Sequence, residues 1–244
     1  MTQQLHLAAQ YLATAAKSFL DPKADDSHTN LEFSIEGKSL QTWPLDYMGT
    51  KLCLNYEEFS LEWKSHESNS FLLDGKSHEE IVIWLSQTSK ILGFEKPYQF
   101  DLHYDMPYSM SPTDKFEKLD VQELVGLRTL AQNALKSFLE KEQLTSDIRI
   151  WPHHFDTGAF CVLDDGSGKS VGMGLSIPDA MIDEHYFYIS GYKGHDSLDT
   201  STFENPSHGK WLNEGFKGAV LPASETNQEI VVQFFREALK AYQS

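Results

Sequence analysis

The sequence predicts an α+β fold in which antiparallel sheets carry helices packed on one face. Three stretches, near the start, the middle and the end of the chain, repeat apolar residues at helical spacing. Between them lie short runs of alternating apolar and polar residues, as on strands with one buried face. The links between these runs are short and polar, which indicates antiparallel pairing. A chain of 244 residues with a hydrophobic fraction of 40% can bury a core without disulfides.

The first part of the chain predicts a helix, a series of strands and a second helix. Apolar residues recur at helical spacing from Leu5 to Leu20, and Asp21-Pro22 ends the pattern. Ser77 predicts the N-cap of the second helix, with Glu80 three residues later completing a capping box. The strands between the helices are predicted over residues 31–35, 40–43, 51–56, 59–63 and 70–73.

The second part predicts the same order of elements. A strand over 99–104 and an irregular segment over 105–115 precede a long helix from about Leu119 to Leu139. Ser224 predicts the cap of a closing helix over 230–242. The strands before it are predicted over 148–163, interrupted near Pro152, and over 170–176, 186–192 and 218–221, with a polar surface excursion over 193–218.

This order divides the chain into two halves, residues 1–98 and 99–244, each a helix–strands–helix unit. Short similar sequences occur at corresponding places in the two halves, such as Ala16-Lys17-Ser18-Phe19-Leu20 and Leu135-Lys136-Ser137-Phe138-Leu139. Four-letter matches also arise by chance, so the shared order of several such sequences is the argument. The sequence therefore suggests a tandem duplication whose halves form one compact unit.

Composition excludes some classes of partner. Lys+Arg number 20 against 36 Asp+Glu, giving a formal charge of −16 and no local basic patch, so neither nucleic acid nor an anionic membrane is an expected partner. The two cysteines, Cys53 and Cys161, sit in apolar strand-like runs typical of buried reduced thiols. No apolar run is long enough to cross a bilayer. The expected location is the cytoplasm.

Three segments combine aromatic and ionisable residues more densely than the rest: 102–108, 151–156 and 183–188. All lie at or near the ends of predicted strands. Polar groups that converge among aromatic rings are typical of a ligand pocket. The first hypothesis is therefore a protein that binds a small polar molecule in a pocket lined by Tyr104, Asp105, Trp151, His153, His154, Asp156, Tyr186 and Tyr188.

Two other functions stay open. On a strand, His154 and Asp156 would share a face and could bind a divalent metal, which makes a metal-assisted hydrolase the third hypothesis. A non-catalytic protein-interaction module is the second hypothesis. His78 begins a zincin-like string, but Val82 stands where the second histidine is needed, so no metal pair is expected there. The third ligand for a metal would come from His103, Asp105, His185 or Glu184.

The string Trp-Pro-His-His-Phe-Asp at 151–156 is followed about thirty residues later by Glu-His-Tyr-Phe-Tyr-Ile at 184–189. The pair resembles the signatures of a widespread bacterial family of unknown function, in which a His-Phe-Asp strand precedes a Pro-Tyr-Phe-Tyr strand. His185 stands where that family has proline, and residues 176–180 only approximate its Pro-Gly-Asp-Glu run. The resemblance implies kinship of fold and supplies no reaction.

Overall fold

The computed structural model of the protein describes residues 2–66, 69–108, 111–118, 120–224 and 226–244. These residues form helices and two antiparallel sheets, which confirms the α+β fold class. The chain divides into two compact units. Unit 1 comprises Met1–Val125 and Ile150–His153, and unit 2 comprises Gly126–Arg149 and His154–Ser244.

Unit 1 contains an amphipathic helix, a five-stranded meander and a second helix. Helix α1 spans Thr2–Phe19. The strands are β1 (Glu32–Ser34), β2 (Ser39–Gln41), β3 (Lys51–Asn55), β4 (Ser60–Lys64) and β5 (Asn69–Leu72). Helix α2 spans His78–Ile91. Each strand pairs antiparallel with the next, so the sheet order is β1-β2-β3-β4-β5.

The core of unit 1 lies between its helices and its sheet. The apolar side of α1 is buried and packs against β3, where Leu52 and Leu54 are also buried. Trp63 of β4 is buried and donates from Nε1 to Thr88 Oγ1 of α2 at 2.8 Å, which fixes that helix on the sheet. Ser77 caps α2, and its capping box with Glu80 is formed as the sequence predicts.

Unit 2 holds most of helix α3 (Gln122–Glu142), a second sheet and the closing helix. The predicted start of α3, Leu119, lies outside the described residues. Strand β6 (Arg149–Trp151) follows, and the bridge of its Ile150 to Leu31 belongs to unit 1. The later elements are β7 (Asp156–Val162), β8 (Lys169–Ser176), β9 (Tyr186–Lys193), β10 (Asp196–Ser197), β11 (Lys210–Leu212), β12 (Gly218–Pro222) and α4 (Gln228–Gln243).

The sheet of unit 2 has the strand order β11-β12-β9-β8-β7, with β10 also paired to β9. Helices α3 and α4 cover one face of it, and alternate residues of the strands join their apolar side chains in one core. Gly191 of β9 is required by this packing, because a Cβ there would lie 2.4 Å from Tyr242 Cε1 of α4. Phe235 of α4 is fully buried against Phe138 and Phe187.

The strand predicted over Gln99–Tyr104 is wrong. These residues have no regular secondary structure, because their partners are side chains of α1 rather than the backbone of a neighbouring strand. Residues 99–125 accordingly belong to unit 1, whereas the sequence division at 98/99 assigns them to the second half.

Two smaller predictions in unit 2 also need correction. The excursion over 193–218 contains β10 and β11, which pair with β9 and β12. The cap of α4 is Asn227 rather than Ser224, because Asn227 Oδ1 accepts hydrogen bonds from the backbone N–H of Glu229 and Ile230. Both units do have the order helix, antiparallel strands, helix, and the tandem duplication itself stays a prediction.

Candidate functional site

Helix α1 buries a row of polar side chains, His6, Gln10 and Thr14, which we call the polar row. The three are four residues apart, so they lie one above another on the same face of the helix. Thr14 Oγ1 donates to Gln10 O at 2.7 Å and is 2.8 Å from the hydroxyl of Tyr98. A buried polar group needs a hydrogen-bond partner. The side chains of the polar row provide such partners for a segment that has no regular secondary structure.

The residues from Tyr98 to Tyr108, here the 98–108 segment, run antiparallel along α1. Tyr104 donates its hydroxyl hydrogen to Gln10 Oε1 at 2.6 Å. One turn nearer the start of the helix, the Tyr108 hydroxyl hydrogen-bonds His6 Nδ1. Burial raises the pKa of both tyrosines above their ordinary value, so both hydroxyls keep their protons. The polar row thus positions two aromatic rings.

The same row holds the turn that follows β6. Pro152 O accepts hydrogen bonds from His6 Nε2 at 2.7 Å and from Gln10 Nε2 at 2.9 Å. Because Nε2 of His6 is a donor here, Nδ1 of its neutral ring accepts from Tyr108. His6 is fully buried, and its two ring nitrogens therefore join two separate stretches of unit 1.

A cleft of about 430 Å³ is lined by α1, the first residue of α2 and the 98–108 segment; we call it the aromatic cleft. Rings of Phe100, Tyr104, Tyr108 and His78 line it. Its volume lies within the range of small-molecule sites, which is about 300–1,000 Å³. Its other lining residues are Leu7, Gln10, Leu102, Asp105, Met106 and Pro107.

His78 is the imidazole of this cleft. Its Nδ1 is 2.9 Å from the hydroxyl of Tyr11, and its ring meets Phe100 edge to face at 4.6 Å between centroids. Burial lowers the pKa of His78 below its ordinary value of 6.5, so the ring is neutral at pH 7. The neutral ring of His78 is part of the cleft lining.

Trp151 and His153, two of the predicted pocket residues, lie behind Tyr104 in a chain of ring contacts and do not line the cleft themselves. The His153 ring lies 5.5 Å from that of Tyr104 and 6.1 Å from that of Trp151, between ring centroids. Asp105 is an exposed residue of the cleft lining. Unit 1 therefore brings together four of the eight predicted residues.

The other four predicted residues, His154, Asp156, Tyr186 and Tyr188, belong to unit 2. The expectation that His154 and Asp156 share a strand face is wrong, because residues 152–155 form a turn and β7 begins only at Asp156. Phe155 adopts a left-handed conformation in that turn, with φ of 59°. The turn leaves His154 exposed and Asp156 buried.

Arg128 of α3 holds this turn from inside unit 2. The buried guanidinium donates to Phe155 O at 3.0 Å and to Thr157 Oγ1 at 2.7 Å, and it lies 4.3 Å from the centroid of the Phe155 ring. Two hydrogen bonds and a cation–π contact offset the cost of the left-handed aromatic residue, which is about 1–3 kcal/mol.

Asp156 is the buried acid of unit 2. Its Oδ2 accepts the hydroxyl hydrogen of Tyr188, while Oδ1 has no hydrogen-bond partner among the described residues. Burial raises the pKa of Asp156, although the Tyr188 hydrogen bond and the charge on His154 act in the opposite direction. Burial and the nearby charge of Asp156 raise the pKa of Tyr188 as well.

Tyr186 has a separate partner. Its hydroxyl donates to Asp179 Oδ2 at 2.6 Å, and Asp179 Oδ1 accepts from the backbone N–H of Met181 and Ile182. The Asp179 turn is thus tied to β9. Asp156 and Tyr186 therefore make different pairs, and each pair stabilises its own part of unit 2.

A metal site is not assembled in the part of the chain that the structure describes. No group of three His, Cys, Asp or Glu side chains there could hold an ion. Of the expected third ligands, His103 pairs with Asp26 at 3.3 Å, and Glu184 Oε2 accepts from the backbone N–H of Ser224. The metal pair of His154 and Asp156 stays a prediction.

Sequence reasoning missed His6, Gln10 and His78. The signal for the first two was present, since polar residues every fourth position interrupt the apolar face of α1. His78 was visible only as half of a failed metal motif. Its role depends on Tyr11 and Phe100, which lie far from it in sequence.

Comparison with protein-family models, with curated proteins and with solved structures finds no match for this chain. Within the described residues, no helix combines the length and apolar character that a membrane crossing requires.

Proposed function

We propose that the protein binds a small polar ligand in the aromatic cleft of unit 1. The observation that carries the proposal is the anchoring of the 98–108 segment. Much of the cleft wall has no regular secondary structure, yet Tyr104 and Tyr108 are each hydrogen-bonded to the buried polar row of α1. A wall that is already ordered spares a ligand the entropy cost of ordering it.

The lining supports the choice of a small polar molecule. Aromatic and apolar side chains supply contact area, while His78 and Asp105 supply polar groups. The amide of Gln10 is already hydrogen-bonded to Tyr104 and Pro152. Compared with the sequence hypothesis, the proposal keeps Tyr104 and Asp105 in the lining. It gives Trp151 and His153 a supporting role beside Tyr104.

Two leucines provide the test, one within α1 and one directly after its last residue. Leu7 lines the aromatic cleft, and Leu20 lines a second cleft of unit 1; both are half-buried. A tryptophan at position 7 is expected to fill the aromatic cleft. A fragment set of small polar molecules would be screened by ligand-observed NMR against the wild type, Leu7→Trp and Leu20→Trp.

We expect fragments that bind the wild type and Leu20→Trp but not Leu7→Trp. The proposal fails if every bound fragment is retained by Leu7→Trp. Thermal unfolding of the two variants checks that each is folded, and a Leu7→Ala variant, which empties the same wall, should keep the binding if Leu7→Trp acts by filling space.

The alternatives from the sequence stay predictions. An interaction module would use β5, an edge strand of its sheet, where Leu72 is 61% exposed. A metal-assisted hydrolase would need a third ligand for His154 and Asp156. Elemental analysis of purified protein separates the hydrolase from the binding protein proposed here.

We also infer a cytoplasmic location, as the sequence suggests. Cys53 and Cys161 are free and buried, and burial raises the pKa of the Cys53 thiol to about 12 and that of Cys161 to about 11. Reduced, unreactive thiols of this kind suit a reducing compartment. Kinship with the bacterial family of unknown function stays a prediction on the motifs at 151–156 and 184–189.

A further inference from the structure

We propose that the ligand of the aromatic cleft is a small organic cation, such as a substituted ammonium ion, held by aromatic rings and the Asp105 carboxylate. This inference rests on the proposed function, because it names the chemical class that the same cleft selects.

The charges of the lining favour a cation. Among the described residues that line the cleft, Asp105 alone carries a formal charge, since His78 is neutral at pH 7 and no Lys or Arg contributes. Asp105 is an exposed residue of the lining, so a cation that enters the cleft from solvent can reach its carboxylate. The formal charge of −16 on the chain raises the local concentration of cations further.

The aromatic rings of the lining also favour a cation. Phe100, Tyr104 and Tyr108 line one cleft, and the faces of such rings attract a cation that has lost part of its hydration. Tyr104 and Tyr108 use their hydroxyls on the polar row, so only their rings are left for a ligand. The Met106 thioether adds a polarisable apolar contact of the kind that suits methyl groups.

The second cleft of unit 1 provides an internal contrast. It has a volume of about 570 Å³ and is lined by Lys17 and Lys96 together with His28, His103 and Asp26; we call it the lysine-lined cleft. Its lining includes two ammonium groups and no Phe, Tyr or Trp among the described residues. The two clefts therefore differ in their aromatic lining and in the presence of lysine side chains.

Three probes of nearly equal shape test the proposal. They are choline, its neutral carbon isostere with carbon in place of the ammonium nitrogen, and the tert-butylacetate anion. Each would be titrated into the intact protein and followed by ligand-observed NMR and calorimetry. We expect choline to bind about tenfold more tightly than the isostere, as a desolvated cation–π contact implies, and the anion not to bind the aromatic cleft.

Two pairs of variants locate the effect. Asp105→Asn removes the charge at the aromatic cleft, and Asp26→Asn removes a carboxylate at the lysine-lined cleft. Only Asp105→Asn should lower the affinity of the protein for choline. Phe100→Leu keeps an apolar side chain but removes a ring, so it should weaken choline more than the isostere. Phe160→Leu, at a half-exposed ring in unit 2, should change neither affinity.

The outcomes separate the two proposals. If the isostere or the anion binds in the aromatic cleft as tightly as choline, and Leu7→Trp abolishes that binding, the cation inference is overturned and the proposed function stands. If choline binds equally to wild type and Asp105→Asn, the inference is also overturned. If neither the probes nor the fragment set binds in a manner sensitive to Leu7→Trp, both proposals fail.

Discussion

The two units share an order of elements but differ in what their helices bury. In unit 2, α4 packs aromatic residues such as Phe234 and Phe235 into an apolar core. In unit 1, α1 buries the polar row beside its apolar residues. An apolar helix face is therefore enough to cover a sheet. A segment without regular secondary structure needs hydrogen bonds to side chains to be held in place.

The two units also differ in the kind of titratable group that each one buries. Unit 1 has a half-buried base, His78, whose pKa is lowered by burial. Unit 2 has a buried acid, Asp156, whose pKa is raised by burial. Burial disfavours the charged form in both cases. Asp156 therefore lowers the stability of the protein as pH rises, whereas His78 lowers it as pH falls.

The largest effect is expected in the apolar core of unit 2. Phe235→Ala removes a buried ring that contacts Phe138 and Phe187. The cavity and the lost burial should lower the free energy of unfolding by about 3–5 kcal/mol. Chemical denaturation followed by circular dichroism measures the loss, and a change under about 1 kcal/mol would contradict the description of this core.

A smaller and more local effect is expected in unit 1. Gln10→Ala leaves the Tyr104 hydroxyl without its acceptor and Pro152 O with one donor fewer, which should cost about 1–3 kcal/mol. Amide hydrogen exchange should accelerate in the 98–108 segment. Gln3→Ala, at an exposed position of α1, is the matched control and should leave that exchange unchanged. Equal protection in both variants would show that the polar row does not anchor the segment.

Stability should depend on pH through both titratable groups, with opposite signs. The folded protein binds an extra proton at Asp156 between pH 3.8 and its raised pKa, so this group costs stability as pH rises through that window. The folded protein resists a proton at His78, so stability falls as pH drops below 6.5 through the lowered pKa.

Two variants separate these contributions. Asp156→Asn should be more stable relative to wild type at high pH than at low pH, and His78→Asn should show the reverse. Denaturant unfolding across the pH range from about 3 to 8 spans the ordinary pKa values of both groups. Parallel pH profiles for the wild type and either variant would contradict the corresponding assignment.

The smallest effect is expected at the edge of the 98–108 segment. Lys17 Nζ lies 2.7 Å from Asp101 Oδ2, and the two side chains are 31% and 68% exposed. Such a pair contributes about 0–1 kcal/mol in water. Lys17→Ala should therefore leave fragment binding in the aromatic cleft intact, and loss of that binding would assign the anchoring to the ion pair rather than to the polar row.

The sequence predicted regular structure better than it predicted the candidate site. Helical spacing and alternation marked α1, α2 and the meander, because those patterns follow directly from burial on one face. The segment at 99–104 has the same alternation, yet it has no regular secondary structure and packs against helix α1 instead of joining a sheet. Local pattern cannot distinguish the two, since the partner is more than eighty residues away in the chain.

The site residues show the same limit. Tyr104 and Asp105 stood out because aromatic and ionisable residues crowd that stretch. His154 and Asp156 were expected to act together, but the left-handed Phe155 between them turns the chain. A conformation of that kind depends on Arg128 in α3, which no spacing rule at 151–156 could reveal.

The most direct test is to observe which rings a bound cation touches. Magnetisation transfer from the trimethylammonium protons of choline to protein protons reports contacts over a few ångströms. The account predicts transfer to the ring protons of Phe100, Tyr104 and Tyr108 in the wild type, and none in Leu7→Trp. Transfer to rings of unit 2, or transfer that persists in Leu7→Trp, would contradict the claim that the aromatic cleft is the binding site.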